Sequence, residues 1–226
     1  MRRMVNPTPS SRTYRHAYLL TALILLIAVR PFLGTHVLSF GLIEVLLFVT
    51  AIGAALAFSH RRGQFIAVTV LGFCSVGLRI TWTITEAKWA VTPYLLATLV
   101  FSLAVAVMLL IHIFKHTRRI TADTIFGSIS AYLLLGFGWA CAYAILEGAR
   151  PGSFNFGERT GNLTIDQVWN FIGFSFTTLT TLGYGNIAPM NARADALTSC
   201  EAMVGQFYMV VLVGRLIGLQ VSQSEK

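Results

Sequence analysis

A short apolar helix and a glycine-bearing loop are encoded between residues 162 and 189, where the sequence is NLTIDQVWNFIGFSFTTLTTLGYGNIAP. Thr164 and Gln167 have the spacing of a capping box, in which each side chain bonds the backbone N–H of the other residue. A helix over residues 165–178 is therefore predicted. At about 1.5 Å per residue it covers only ~20 Å, less than the ~30 Å hydrocarbon core of a bilayer. The pattern predicts a re-entrant helix that ends inside a membrane.

The loop after this helix, residues 181–185, would lie at membrane depth without being helical. Non-helical backbone occurs in membranes only where it is buried in protein or lines a water-filled path. Gly183 and Gly185 permit positive φ, which lets successive carbonyls face the same way. A column of carbonyl oxygens can replace the water around a dehydrated ion. The loop is therefore a candidate ion-binding site made of backbone oxygens.

The whole chain has the composition of a membrane protein. Of its 226 residues, 55% are hydrophobic and 12% are charged, and the mean hydropathy is +0.70. An average globular chain is roughly a quarter charged, so this composition excludes a soluble domain and most enzymes of water-soluble substrates. The net charge of +8 comes from basic residues scattered between apolar runs. They form no concentrated basic face, which excludes nucleic acid as a partner.

Apolar windows of about 20 residues, the length of a transmembrane helix, recur along the chain. The six predicted spans cover residues 17–33, 37–58, 65–84, 91–114, 125–146 and 196–219. The predicted fold is an all-α membrane protein with six transmembrane helices and the re-entrant segment between the fifth and sixth. It divides into an N-terminal tail at 1–16, a four-helix transmembrane domain at 17–114, a second domain at 121–220 and a short tail at 221–226.

Basic residues in the short loops predict the orientation, because Lys and Arg resist translocation. With the N-terminus inside, the inner segments contain nine basic residues: Arg2, Arg3, Arg12, Arg15, Arg61, Arg62, Lys115, Arg118 and Arg119. The short outer loops hold only Lys88. Both termini are therefore predicted to be cytoplasmic, in a multi-pass protein of the plasma or inner membrane whose surroundings are lipid.

The loop Thr181-Leu182-Gly183-Tyr184-Gly185 follows a capped helix that ends in Thr177-Thr178-Leu179-Thr180, and two predicted spans flank it. This arrangement resembles the pore of potassium channels, whose filter is the best-known case of ion selection by carbonyl oxygens. The resemblance extends over residues 121–220, which would form a pore domain of outer helix, pore helix, filter and inner helix.

The resemblance implies a filter made of Thr181, Leu182, Gly183, Tyr184 and Gly185. K⁺ would bind the carbonyls of the first four, with the Thr181 hydroxyl at the inner end. Because the chain has one filter segment and a filter needs four, the resemblance implies a homotetramer. It implies a passive K⁺ channel, not an enzyme, that needs no cofactor beyond the permeant ion.

The positions around the filter depart from the usual family pattern. Asn186 stands where many members have Asp, Phe174 where many have Trp, and Thr177 where some have Glu. The missing carboxylates bear on filter rigidity more than on ion choice, because the ion ligands are backbone carbonyls. The predicted filter support consists of Thr177, Thr178, Thr180, Asn186 and Glu201. Glu201 lies inside the sixth span, where an unpaired charge is costly, so we expect it to bond the hydroxyl of Thr177 or Thr178.

Three further residues are candidates for a hinge or gate. The resemblance implies a hinge at Gly205, and the alternative is a small residue that permits close helix packing. Arg215 near the inner end of the sixth span either anchors the helix at the inner leaflet or pairs with Asp123 in a state-dependent gate.

The fourth span contains no Lys or Arg between residues 90 and 114. A conventional voltage sensor needs several, because each elementary charge moved across 100 mV contributes about 2.3 kcal/mol. The channel is therefore predicted not to be voltage-gated in the conventional way. Glu44 and Arg79, both inside spans, are predicted to pair or to line a lipid or ligand site. The short linker at 115–124 predicts that each N-terminal bundle lies beside its own pore.

Two alternatives to a potassium-selective channel remain open. One is a less selective monovalent cation channel, because the filter supports are altered. The other is a membrane sensor or regulatory subunit whose N-terminal helices bind lipid or a small ligand. His112 and His116 share a helix face, but they lack a third ligand for a metal.

Overall fold

The structure is a computed structural model and describes residues 15–29, 49, 52, 62–85, 88–116, 121–156 and 165–224. The helices are α1 (Arg15–Val29), α2 (Arg62–Thr85), α3 (Lys88–His116), α4 (Ala122–Ala149), α5 (Ile165–Leu179) and α6 (Ala192–Ser224). Two short strands, β1 (Phe154–Asn155) and β2 (Ala188–Pro189), pair antiparallel. Apart from these two strands, the described elements are all helical, as predicted. The predicted second span falls almost entirely outside the described residues.

Four of these helices are long and apolar enough to cross a membrane. Their apolar windows are Phe65–Trp82, Trp89–Lys115, Ala122–Ala149 and Ala192–Gly218. The apolar part of α1, His16–Val29, is shorter. The chain is therefore an all-α, multi-pass membrane protein. The 15 residues of α5 are too few to span the ~30 Å of hydrocarbon at about 1.5 Å per residue.

Local capping determines where the two long helices of the C-terminal half begin. The Thr121 hydroxyl accepts a hydrogen bond from the Thr124 backbone N–H at 3.3 Å and starts α4. Asn191 Oδ1 accepts from the N–H groups of Arg193 and Ala194, at 3.1 and 3.0 Å, and starts α6. α6 thus begins four residues before the predicted span at 196, because a cap lies outside the apolar run that hydropathy detects.

The N-terminal helices pack against α4 of the same chain. Leu19 of α1, Val105 and Leu109 of α3 and Leu134 of α4 are buried in one apolar cluster. Gly138 of α4 permits close approach to α3, since a Cβ there would lie 3.3 Å from Leu103 Cδ2. Whether each bundle lies beside its own pore, as the short linker predicts, stays a prediction.

The strand pair connects the segment after residue 185 to the loop after α4. Phe154 pairs with Pro189, and Asn155 pairs with Ala188. The Met190 N–H adds a bond to the Ser153 carbonyl at 2.8 Å. Sequence reasoning missed this pair, because two-residue strands are too short to produce a period-2 pattern.

Candidate ion-conducting site

The short helix α5 ends within one residue of the predicted position. Phe171, Ser175 and Leu179 recur at intervals of four and are fully buried. This spacing places them on one helix face, which packs against the longer helices beside it. The side chains of the predicted capping box, Thr164 and Gln167, lie outside the described residues.

The loop after α5 alternates between two backbone conformations. Thr181, Gly183 and Gly185 have φ values of 58°, 56° and 75°, whereas the intervening Leu182 and Tyr184 are not in the positive-φ region. The two glycines adopt the conformation that the sequence predicted. Thr181 is the one non-glycine residue of the described part with positive φ, and sequence reasoning missed it because β-branched residues rarely adopt this conformation.

The N–H groups of this loop point back at the end of α5. Leu182 and Gly183 both donate to the Thr177 carbonyl, at 2.8 and 3.1 Å, and Thr181 donates to the Thr178 carbonyl at 3.0 Å. In an alternating backbone, successive N–H groups share one side. Because the C=O and N–H of a trans peptide point in opposite directions, the carbonyls of Thr180, Thr181 and Leu182 point away from α5. This edge of oxygens is the part of the loop suited to binding a cation.

The threonine hydroxyls next to the loop bond their own helix. Those of Thr177 and Thr178 both donate to the Phe174 carbonyl at 2.9 Å. Thr180 donates to the Phe176 carbonyl at 2.6 Å, and Thr181 donates to the Thr180 carbonyl at 2.7 Å. Each hydroxyl thus has an acceptor within the same segment.

Glu201 bonds residues other than those predicted. The Tyr143 hydroxyl donates to one of its carboxyl oxygens, and the Ser175 hydroxyl contacts the other. The expectation of a bond to Thr177 or Thr178 was therefore wrong, because both hydroxyls turn back onto α5. Sequence reasoning identified the need for O–H donors but missed Tyr143 and Ser175, which lie on separate helices.

Gly205 lies at the closest approach of α6 to α5. A Cβ on Gly205 would lie 3.0 Å from both the Leu179 carbonyl carbon and its Cα, and closer still to the carbonyl oxygen. A glycine is needed here because any side chain would displace backbone. The contact favours the close-packing interpretation of Gly205, and the hinge stays a prediction.

Two polar side chains, Glu147 and Asn191, hold the segments between α4 and α6. Both carboxylate oxygens of Glu147 accept backbone N–H groups, from Gly152 at 2.8 Å and from Phe154 at 3.0 Å. Asn191 Nδ2 donates to Ser153 Oγ at 3.0 Å. These bonds tie the end of α4 to the start of α6, and sequence reasoning assigned neither residue to the site.

Phe174 packs in an aromatic cluster where the resemblance would place a Trp. Its ring centroid lies 5.2 Å from that of Tyr143 and 5.8 Å from that of Phe154. Phe171 joins the same cluster, with its ring 5.0 Å from Phe154. Phe174 is therefore held by contacts with other aromatic rings, and it has no indole N–H that could donate a hydrogen bond.

Comparison with known families agrees with this geometry. A family model described as "Ion channel" matches residues 131–219. The match supports an ion channel. The matched ion-channel region runs from within α4 through α5 and the loop into α6. Among curated proteins, none matches the chain.

Most candidate residues lie in the ion-channel region, but Asp123 precedes it. Asp123 Oδ1 accepts the His16 backbone N–H at 2.8 Å, and its Oδ2 lies 3.7 Å from His16 Nε2. Arg215 Nη2 instead donates to the carbonyls of Phe114 and Ile113, at 2.6 and 3.3 Å. Asp123 and Arg215 therefore bond different residues in this structure, and the state-dependent pair stays a prediction.

The physical reason lies at the end of α3. The last carbonyls of a helix lack partners within it and carry the negative end of its dipole, so they attract a guanidinium. The Arg215 guanidinium carbon also lies 5.0 Å from the Phe114 ring centroid. Arg215 thus connects the C-terminal part of α6 to the C-terminal end of α3.

The remaining predictions concern the N-terminal helices. Glu44 lies outside the described residues, so the structure does not test its pairing with Arg79. Arg79 is buried, with its guanidinium carbon 5.2 Å from the Trp82 ring and 5.5 Å from the Tyr94 ring. Among described side chains, no group of three or more His, Cys, Asp or Glu is placed to hold a metal.

Proposed function

We propose that this protein is a potassium-selective channel in which four copies of the chain surround one pore and K⁺ passes passively down its gradient. The observation that carries the proposal is the alternating backbone of residues 181–185, with φ positive at every second residue. The N–H groups of Thr181, Leu182 and Gly183 bond the end of α5, so the carbonyls of the residues before them point the other way. An edge of carbonyls can replace the hydration shell of K⁺.

The proposed ion sites are the carbonyls of Thr181, Leu182, Gly183 and Tyr184. The end of α5 points toward the same region, and the negative end of its dipole favours a cation there. Because every ligand is a backbone oxygen, selectivity depends on how firmly the backbone is held.

A homotetramer is proposed because one chain leaves the site incomplete. The side chains of Leu182 and Tyr184 are 58% and 74% exposed within the chain. On α6, Phe207 and Val210 are 66% and 69% exposed. In the proposed tetramer, neighbouring copies cover these side chains, and four loops complete each ring of carbonyls.

The proposed channel does not sense voltage in the conventional way. α3 holds no Lys or Arg between residues 90 and 114. Arg79 of α2 is buried against aromatic rings rather than placed in a repeating array. We place both termini in the cytoplasm and the protein in the cell membrane, surrounded by lipid, on the distribution of basic residues.

The test is ion flux through purified protein in liposomes under K⁺ and Na⁺ gradients. A reversal potential that follows the K⁺ gradient, with block by barium, is the expected result. Equal permeability to Na⁺ would favour the less selective cation channel. No flux would favour a sensor or regulatory subunit.

A comparison of two Gly→Ala variants tests whether the ions pass along the loop at residues 181–185. Gly183→Ala places a side chain at φ 56° and is expected to abolish K⁺ selectivity. Gly77→Ala, in α2 with open space around the added Cβ, is the control and should leave flux unchanged.

A further inference from the structure

A buried cluster of three oxygen-bearing side chains joins the helices behind the loop. Tyr143 comes from α4, Ser175 from α5 and Glu201 from α6, and each residue is 0% exposed. The Glu201 carboxyl contacts both hydroxyls. Ser175 Oγ also lies 2.8 Å from the Gly136 carbonyl of α4. The cluster therefore contains three contacts between oxygen atoms, and each requires a proton.

The number of protons available to these contacts favours a neutral carboxyl. A hydroxyl donates one proton and a backbone carbonyl only accepts. The Tyr143 proton serves its contact with Glu201. The Ser175 proton serves either Gly136 or Glu201, but not both. If Glu201 were ionised, one contact of Ser175 would bring two oxygens together without a proton between them.

A protonated Glu201 satisfies every contact. Its own O–H then donates to Ser175, Ser175 donates to the Gly136 carbonyl, and Tyr143 donates to the second Glu201 oxygen. The two helices that contact Glu201, α4 and α5, contain no basic residue that could offset an anion. On α6, Arg193 and Arg215 lie about 12 and ~21 Å along the axis from Glu201, at 1.5 Å per residue.

The cluster contacts the part of α5 that holds the loop. Ser175 and Leu179 are four residues apart on α5, and they meet Glu201 and Gly205, four residues apart on α6. The two helices are thus attached at two points on matching faces. Between those points lies Thr177, whose carbonyl accepts the N–H groups of Leu182 and Gly183.

We propose that Glu201 is a neutral carboxylic acid that acts as a positioning residue for the filter, holding α5 between α4 and α6. This role rests on the proposed channel function, whereas the neutral state does not. The neutral state also explains how a carboxyl is accommodated inside a membrane helix, where a charged group is strongly disfavoured. In this proposal, an uncharged network between α4, α5 and α6 takes the place of the carboxylates that are absent at Thr177 and Asn186.

The first test compares substitutions that keep or remove the hydrogen bonds. Glu201→Gln retains one acceptor for Tyr143 and one donor for Ser175, so its K⁺ over Na⁺ permeability ratio should stay within about twofold of wild type. Glu201→Leu, Tyr143→Phe and Ser175→Ala should each lower this ratio about tenfold, which corresponds to ~1.4 kcal/mol. A Gln variant as impaired as the Leu variant, or a Leu variant with the wild-type ratio, would overturn the positioning role.

The second test does not depend on ion flux. Infrared spectra of the purified protein at neutral pH should contain the C=O stretch of a protonated carboxylic acid, and Glu201→Gln should remove it. Absence of this band from wild type would overturn the neutral state even if the protein conducts K⁺. If the carboxylic acid band is present but the protein conducts no ions, the channel proposal is wrong and the neutral state of Glu201 still holds. If Glu201→Leu fails to assemble, Tyr143→Phe, which retains the ring, provides the same comparison.

Discussion

Gly205 of α6 packs directly against the backbone of Leu179 at the end of α5. A Cβ on Gly205 would lie 3.0 Å from both the carbonyl carbon and the Cα of Leu179. The neighbours of that Cβ are main-chain atoms, which cannot rotate away as a flexible side chain can. α6 and α5 are therefore in close backbone contact at this point, so a side chain added at Gly205 would have to displace backbone.

Gly205→Ala is expected to disturb the loop by pushing Leu179 outward. Overpacking of this kind costs about 1–3 kcal/mol. We expect a lower thermal midpoint of the purified protein and reduced ion flux in liposomes. Gly214→Ala, also in α6 but with no atom near the added Cβ within the chain, is the control. Equal effects of the two substitutions would show that general helix changes, not the Leu179 contact, are responsible.

Arg215→Gln is expected to loosen the attachment of α6 to α3. It removes the charge that interacts with the Phe114 carbonyl and ring, an effect of about 1–2 kcal/mol at a helix C-terminus. We expect a lower thermal midpoint and an altered flux at unchanged K⁺ over Na⁺ preference. Arg193→Gln, which removes an exposed charge from the same helix, should change neither. A selectivity change in Arg215→Gln would contradict this assignment.

Glu147→Gln is expected to weaken the turn after α4. The carboxylate accepts two N–H groups, from Gly152 and Phe154, whereas an amide offers one oxygen acceptor. A buried N–H left without its partner costs about 1–3 kcal/mol. Faster hydrogen exchange at the Gly152 and Phe154 amides would report the loss. Asp195→Asn, at an exposed site in the first turn of α6, is the control.

Asn186→Asp is expected to alter gating at the filter more than ion choice. The residue directly follows the loop and is exposed within the chain, and the proposed K⁺ ligands are backbone carbonyls. We expect changed open-channel kinetics in bilayer recordings and an unchanged reversal potential in mixed K⁺ and Na⁺. Loss of K⁺ preference in this variant would contradict the prediction.

Features that depend on consecutive residues were predictable. Residues 165–178 were predicted as a short helix, and the structure has Ile165–Leu179. Positive φ at Gly183 and Gly185 followed from the freedom of glycine. Positive φ at Thr181 did not, because β-branched residues rarely adopt this conformation.

Features that depend on pairs of distant residues were not predictable. Glu201 was expected to need hydroxyl partners, but those it has lie 26 and 58 residues away along the chain. Arg215 was considered with Asp123 and instead bonds a carbonyl 101 residues away. Charge and hydrogen-bonding capacity identify a residue that needs a partner, and they do not identify the partner.

The sequence by itself determined the membrane class, the described spans, the short helix and the loop that carries the candidate ion ligands. Hydropathy, helix length and glycine freedom are properties of consecutive residues, so they are readable from the chain. The tertiary structure decided which side chains meet behind the loop and which carbonyls Arg215 reaches. Those contacts depend on how α3, α4, α5 and α6 are rotated and shifted against one another, which no stretch of consecutive residues specifies.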